Sequence, residues 1–201
     1  MEIKDYDFKV TNIKVSVKLP QRTTLDVVEE RCKYLSDFHK IYSSRKKRNI
    51  LSVRYNNTTF VLFKGSSKQS SDGSYPPQHC NITKLRNQEE ILQAIQDLFL
   101  LINQPSTFLT YKIDNYSCCA NIFKVIDIAA FYKTDISVNC TFTEENFSCV
   151  TVYCPKDLTS SPRQCCHIYR TGYFVLVGAK ELPDAKKFFF WIIERIKPYV
   201  K

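Results

Sequence analysis

The chain has 201 residues, 44% of them hydrophobic and 24% charged, which is enough for one substantial domain or two small units sharing a core. Lys and Arg total 29 against 20 for Asp and Glu, a formal charge of +9 that favours a polyanionic partner, nucleic acid before membrane. No run of about 18 apolar residues occurs, so no transmembrane helix and no membrane partner is expected, and the polar start Met1-Glu-Ile-Lys-Asp-Tyr reads as intracellular.

In chain order, Phe8 to Leu19 alternates and is β-branched, the pattern of a strand ended by Pro20. Thr23-Thr24 then cap a helix with Leu25, Val28, Cys32 and Leu35 on one stripe. The basic run Arg45 to Arg48 leads into a strand at Ile50 to Tyr55, which Asn56-Asn57 turns into a second strand, Thr58 to Lys64. Ser66 to Gln78 is rich in Ser, Gly and Pro and reads as a long loop; His79 to Leu85 resumes as a strand, and Gln88 to Ile102 is an amphipathic helix.

The order then repeats. Thr107 to Cys119 reads as a strand, Ile122 to Tyr132 as a helical pattern and Phe147 to Cys154 as a strand before Pro155. A hairpin turned at Thr171-Gly172 follows, then a helix from about Pro183 to Lys197. Fixed points lie 103 apart (Asn12, Asn115) and 106 apart (Phe63, Tyr169), so the chain divides into repeats at 1–103 and 104–201. Alternation in the last hairpin puts Ile168, Phe174 and Leu176 on one sheet face, against the final helix, and His167, Tyr169, Val175 and Val177 on the other. No segment remains to cover that second, largely apolar face, and such a surface usually binds something.

Nine cysteines without a Cys-x-x-Cys spacing read as reduced, mostly buried thiols rather than as a disulfide framework or a metal site, and no cofactor is expected. Cys166-His167 pairs a nucleophile with a base by composition, but neighbours on a strand face apart, so no enzyme activity is expected.

Three stretches resemble the TATA-box-binding protein (TBP) family. Thr171-Gly-Tyr-Phe-Val-Leu-Val-Gly-Ala-Lys180 is similar to the family's Ser-Gly-Lys-x-Val-Leu-Thr-Gly-Ala-Lys, Lys112-Ile-Asp-Asn115 to its Lys-Ile-Gln-Asn, and Val10-Thr-Asn12-Ile to its Leu-Gln-Asn-Ile. The resemblance implies an α+β, pseudo-twofold saddle of two repeats, one long curved antiparallel sheet with helices on the convex face, in a divergent member from an unusual eukaryote or a large DNA virus. It implies a transcription-initiation factor that bends A·T-rich promoter DNA through the minor groove, with a TFIIB-like factor, a TFIIA-like factor and an RNA polymerase as further partners. The expected location is the nucleus, or a cytoplasmic viral factory.

Carried over residue by residue, the central amides fall on Asn12 and Asn115, and the ring wedges on Phe63, Phe147 and Tyr169, with Asn49 at the fourth wedge position. Thr83 and Val177 fall on the central threonine pair. Val61, Asn81, His167 and Val175, with Lys14 and Ser117, fall on the groove floor. Arg48, Arg86 and Lys180 fall on phosphate-contacting positions, others having become Tyr55, Tyr153 and Tyr173, and Glu144 and Glu145 on the stirrup that receives the TFIIB-like factor. The competing reading is a scaffold that keeps the fold and has lost unaided duplex binding.

Overall fold

The computed structural model describes residues 6–19, 23–35, 38–43, 49–69, 71, 73, 76–104, 110–134, 139–143, 149–161 and 163–201. The order of elements is β1 (Asp7–Lys18), α1 (Leu25–Cys32), β2 (Phe38–Ser43), β3 (Ile50–Tyr55), β4 (Thr58–Phe63), β5 (His79–Leu85) and α2 (Gln88–Ile102). The same order then recurs as β6 (Tyr111–Asn121), α3 (Ile128–Thr134), β7 (Cys140–Thr143), β8 (Cys149–Tyr153), β9 (Cys165–Tyr169), β10 (Tyr173–Ala179) and α4 (Leu182–Ile196). The strands hydrogen-bond in the order β2-β3-β4-β5-β1-β6-β10-β9-β8-β7, and the pairing is antiparallel. The class is α+β, as expected, with two strands more than the sequence suggests: β2 and β7.

The chain forms two compact units. One is built from residues 13–114 and the other from residues up to 12 together with 115–201. In the first, Val15, Val17, Leu51, Val53, Phe60, Leu62, Cys80 and Ile82 form the buried side of the sheet. Helix α2 meets β5, and its Ile91, Ala94, Leu98, Leu101 and Ile102 are buried; α1 lies beside it with Val28 and Cys32 buried. Both helices start on side-chain caps: Thr24 Oγ1 accepts from the Val27 N–H at 3.3 Å, and Asn87 Oδ1 from the Glu90 N–H at 2.8 Å. Asn56 and Asn57, at φ 47° and 60°, make the tight β3–β4 turn that the Asn-Asn pair announces. The buried Asp97 carboxylate is satisfied by Asn56 Nδ2 at 3.1 Å and Gln93 Nε2 at 3.0 Å.

In the second unit, Ala185, Phe188, Phe189, Ile192, Ile193 and Ile196 of α4 pack on Cys118, Ala120, Val150, Val152, Cys166, Ile168, Phe174 and Leu176. Phe8 and Val10 of β1 add to this core, with the Phe8 ring 5.3 Å from that of Phe189. The helical pattern over Ile122 to Tyr132 gives only a short helix, because the preceding residues are committed elsewhere. Phe123 sits at φ 55° with its N–H on Asn121 Oδ1, and Ile126 bridges Val200 and donates to the Arg170 carbonyl.

The glycines of the hairpin motif are fixed by space. Gly172 has φ 81° and a Cβ there would stand 2.2 Å from the Lys124 carbonyl oxygen; Gly178 has φ 92° and a Cβ there would stand 2.6 Å from that of Arg163. Gly178 lies where the β10–β6 register shifts, between Leu176 and Ala179.

All nine cysteines are free thiols, seven buried and two half-buried. Burial pushes the Cys32 and Cys118 thiols up to about 11, and raises those of Cys80 and Cys166 as well. Among the described residues, no helix is long and apolar enough to cross a membrane.

Candidate nucleic-acid interface

The strand faces turned away from the helices are open and mixed in character. In the unit of residues 13–114 this face carries Ser52 of β3, Thr59, Val61 and Phe63 of β4, Asn81 and Thr83 of β5, and Lys14 and Ser16 of β1, all half-buried. The rows run across the strands: Ser52 opposes Val61, Val61 opposes Asn81, and Asn81 opposes Ser16. Phe63, Val61 and Thr83 therefore share one face, as expected. The Phe63 backbone is anchored by Gln78, a residue the sequence did not single out. Its buried amide donates to the Phe63 carbonyl at 2.8 Å and accepts from the Thr23 N–H at 3.0 Å.

In the other unit the open face carries Thr151 of β8, Cys165, His167 and Tyr169 of β9, and Val175 and Val177 of β10. Here too Tyr169, Val175 and Val177 are brought together, and Ile168, Phe174 and Leu176 are buried behind them. His167 Nδ1 is 2.8 Å from Thr151 Oγ1. Cys166, its neighbour, is fully buried on the other side, so the two form no nucleophile and base. The Tyr169 ring lies 6.2 Å from that of Tyr173, whose phenol is pushed up to about 12 by a hydrogen bond with Cys119, by burial and by nearby Cys119, Tyr169 and Asp7.

Asn12 and Asn115 are both half-buried strand residues. Asn115 Oδ1 accepts from the Gly178 N–H at 3.1 Å. A backbone N–H can only donate, which fixes the amide: oxygen towards the β10 bulge, Nδ2 as the donor that remains. Minor-groove edges of A·T pairs present acceptors only, so this is the polarity such an edge requires.

The basic positions differ from one another. Lys180 is exposed, with its backbone N–H on Ser161 Oγ at 3.0 Å. Arg86 is drawn back onto α2: Nη2 and Nε lie 2.8 and 3.0 Å from Glu90 Oε1, and its backbone N–H donates to Glu90 Oε2 at 2.8 Å. Arg48, Phe147, Glu144 and Glu145 lie outside the described residues.

Register moves one correspondence between the repeats. Phe63 pairs with Ile50, and Tyr169 with Cys149. Counted along the sequence from those pairs, Arg48 precedes Ile50 by two places as Phe147 precedes Cys149, whereas Asn49 precedes Ile50 by one. Asn49 is exposed and its carbonyl accepts from the Lys64 N–H at 2.7 Å. Asp114 is a further residue that sequence comparison passed over. Its carboxylate contacts the Ser16 hydroxyl and lies 3.7 Å from Lys14 Nζ, both on the open face.

An antiparallel sheet covered by helices on one side, built twice from the same order of elements, defines the fold class of the TATA-binding proteins. The solved structure of Methanococcus jannaschii TBP superposes with a TM-score of 0.68 at 19% identity, covering 96% of this chain and 99% of that one. A heterotetrameric sarcosine oxidase from Corynebacterium sp. U-96 reaches only 0.33 at 7% identity, a likeness that carries no argument. Residues 110–199 match the family model of "Transcription factor TFIID (or TATA-binding protein, TBP)", whereas comparison with curated protein sequences gives no match. The sequence of residues 110–199 is thus similar to the TATA-binding protein family, and the chain as a whole has a TBP-like fold.

Proposed function

We propose that the chain, as two repeats at 1–103 and 104–201, is a transcription-initiation factor that binds and kinks A·T-rich promoter DNA through the minor groove. It recruits a TFIIB-like factor and an RNA polymerase, with a TFIIA-like factor as a further partner, in the nucleus or in a viral factory. The observation that carries this reading is the Asn115 amide, held by the Gly178 N–H so that an N–H donor remains for acceptor-only base edges. The half-buried rings of Phe63 and Tyr169 and the apolar Val61, Val175 and Val177 support it, since they exclude water from a groove floor.

The test is a mobility-shift titration on A·T-rich and G·C-rich duplexes over a range of salt. The A·T-rich duplex binds more tightly, and log K falls with log salt by about 0.9 per neutralised phosphate. Lys180→Ala weakens both duplexes alike and flattens that slope by about one; an unchanged slope removes Lys180 from the interface. Absence of salt-dependent binding to any duplex would favour the second reading, a scaffold without duplex binding of its own. The Arg86–Glu90 pairing, which occupies one of the three cations expected on phosphates, is the observation on that side.

A further inference from the structure

On the open face of the unit formed by residues 13–114, four polar side chains meet across three strands. Ser16 Oγ lies against Asp114 Oδ2 and 3.1 Å from Asn81 Oδ1, and Lys14 Nζ lies 3.7 Å from the same Asp114 oxygen. The Asp114 and Lys14 side chains remain 26% and 38% exposed, so both are within reach of a ligand laid on this face. The sign of this group is the wrong one for a pure A·T site. An ionised carboxylate only accepts hydrogen bonds. An A·T or T·A pair offers the minor groove only adenine N3 and thymine O2, which are acceptors too. Opposite such a pair Asp114 would be desolvated against like-signed atoms, with an unmet cost for its remaining lone pairs.

One base-pair edge suits the group. A G·C pair adds the guanine N2 amine, the single donor of the minor groove, between the N3 and O2 acceptors. A carboxylate meets the amine, and an ammonium beside it meets the flanking acceptors. Lys14 and Asp114 present that donor and acceptor side by side, and Ser16, whose single hydroxyl proton meets the carboxylate, ties it to the sheet.

We propose that Asp114, positioned by Ser16 and paired with Lys14, reads the exocyclic amine of one guanine within an otherwise A·T-rich site. The inference rests on the minor-groove reading above and deepens it, by giving the preferred element a G·C pair at a fixed place. The residues that carry it belong to one unit and to three strands, β1, β5 and β6.

The probe is the amine itself. Duplexes are made with a single G·C pair stepped through the A·T-rich site, each with its inosine·C counterpart, which lacks only the 2-amino group. A parallel set replaces one adenine with 2,6-diaminopurine, which adds that group to an A·T pair. At one position, replacing guanine by inosine weakens binding by about five- to tenfold, the low end for a good side-chain–base pair, and diaminopurine strengthens it to a similar extent. Asp114→Asn, whose neutral amide oxygen accepts more weakly than a carboxylate, lowers both ratios and tightens binding to the all-A·T duplex, because the repelling charge is gone. Equal affinity for guanine and inosine at every position overturns the inference and leaves minor-groove binding standing. So does an Asp114→Asn variant that weakens every duplex alike, which would make the group a structural ion pair. If no duplex of any composition binds, the minor-groove reading fails and this inference with it.

Discussion

Asn115 and Gly178 show how a single atom pair ties the orientation of a side-chain amide to backbone geometry. Gly178 reaches φ 92° in the β10 bulge, a conformation that strains any other residue, and there its N–H meets Asn115 Oδ1. A side chain at 178 also has no room, since its Cβ would come within 2.6 Å of the Arg163 carbonyl oxygen, a backbone atom that cannot simply turn aside. Gly178→Ala is therefore expected to destabilise the fold by about 1–3 kcal/mol, the usual cost of a non-glycine residue forced into such a conformation. Urea unfolding checks this: the midpoint falls at an unchanged slope. An unaltered midpoint would mean that the bulge relaxes freely. The glycine and the asparagine were legible from the motifs that contain them, but their bond was not, because they lie 63 positions apart in the chain. Asp114 was illegible for a related reason: it occupies a motif position held by a neutral amide in the family, and only the fold brings Ser16 and Lys14 to it.

At the scale of elements, most strands and helices were legible because their alternation or helical stripe matches the observed burial. His79–Leu85 and Gln88–Ile102 stand where the periodicity places them, and α4 begins and ends within a residue of its expected span. What periodicity could not give is the phase slip in β1. Phe8 and Val10 pack in one unit's core, whereas Ile13, Val15 and Val17 are buried in the other, so the inward parity changes from even to odd around Asn12. A reading that treats Phe8 to Leu19 as one uninterrupted alternation misses this, because both parities carry β-branched residues. β2 and β7 escaped for another reason. They are the two outermost strands, each hydrogen-bonded on one side only, and neither sequence shows a run that demands burial. β8 starts just after the acidic pair Glu144-Glu145, which the family resemblance places in the partner-binding stirrup. Two adjacent carboxylates suit a basic partner surface. Glu145→Arg is expected to abolish pull-down of a TFIIB-like factor by the purified chain while duplex affinity holds. Loss of duplex affinity with pull-down intact would reverse the assignment of that loop.

At the scale of the whole molecule, the twofold repetition of elements was readable from spacing, but equivalence between repeats was readable only to within a residue. Counted along the sequence from the pairs Phe63–Ile50 and Tyr169–Cys149, Arg48 rather than Asn49 matches Phe147 in spacing. On the proposed minor-groove reading, the two repeats would be unequally equipped for wedging. One has Phe147 and Tyr169; the other has Phe63 and a cation. Unstacking a base step costs a few kcal/mol in any wedge-inserting protein, this family included, and is repaid only when a ring refills the gap and the bend brings new contacts. A guanidinium can sit in a narrow groove and neutralise phosphate, but it refills an opened step less well than a phenyl ring. The bend is therefore expected to be asymmetric, with a full kink where Phe147 and Tyr169 engage the duplex and a shallow or absent one where Phe63 does. Fluorescent adenine analogues placed at either end of the site report this directly, brightening at the first end and staying nearly dark at the second. Arg48→Phe deepens the weak kink and brightens the dark end, and Phe147→Ala costs about 1–3 kcal/mol of binding, by analogy with lost base–aromatic stacking. Equal brightening at both ends in the unaltered protein would mean that a residue other than the one at 48 completes the second wedge pair.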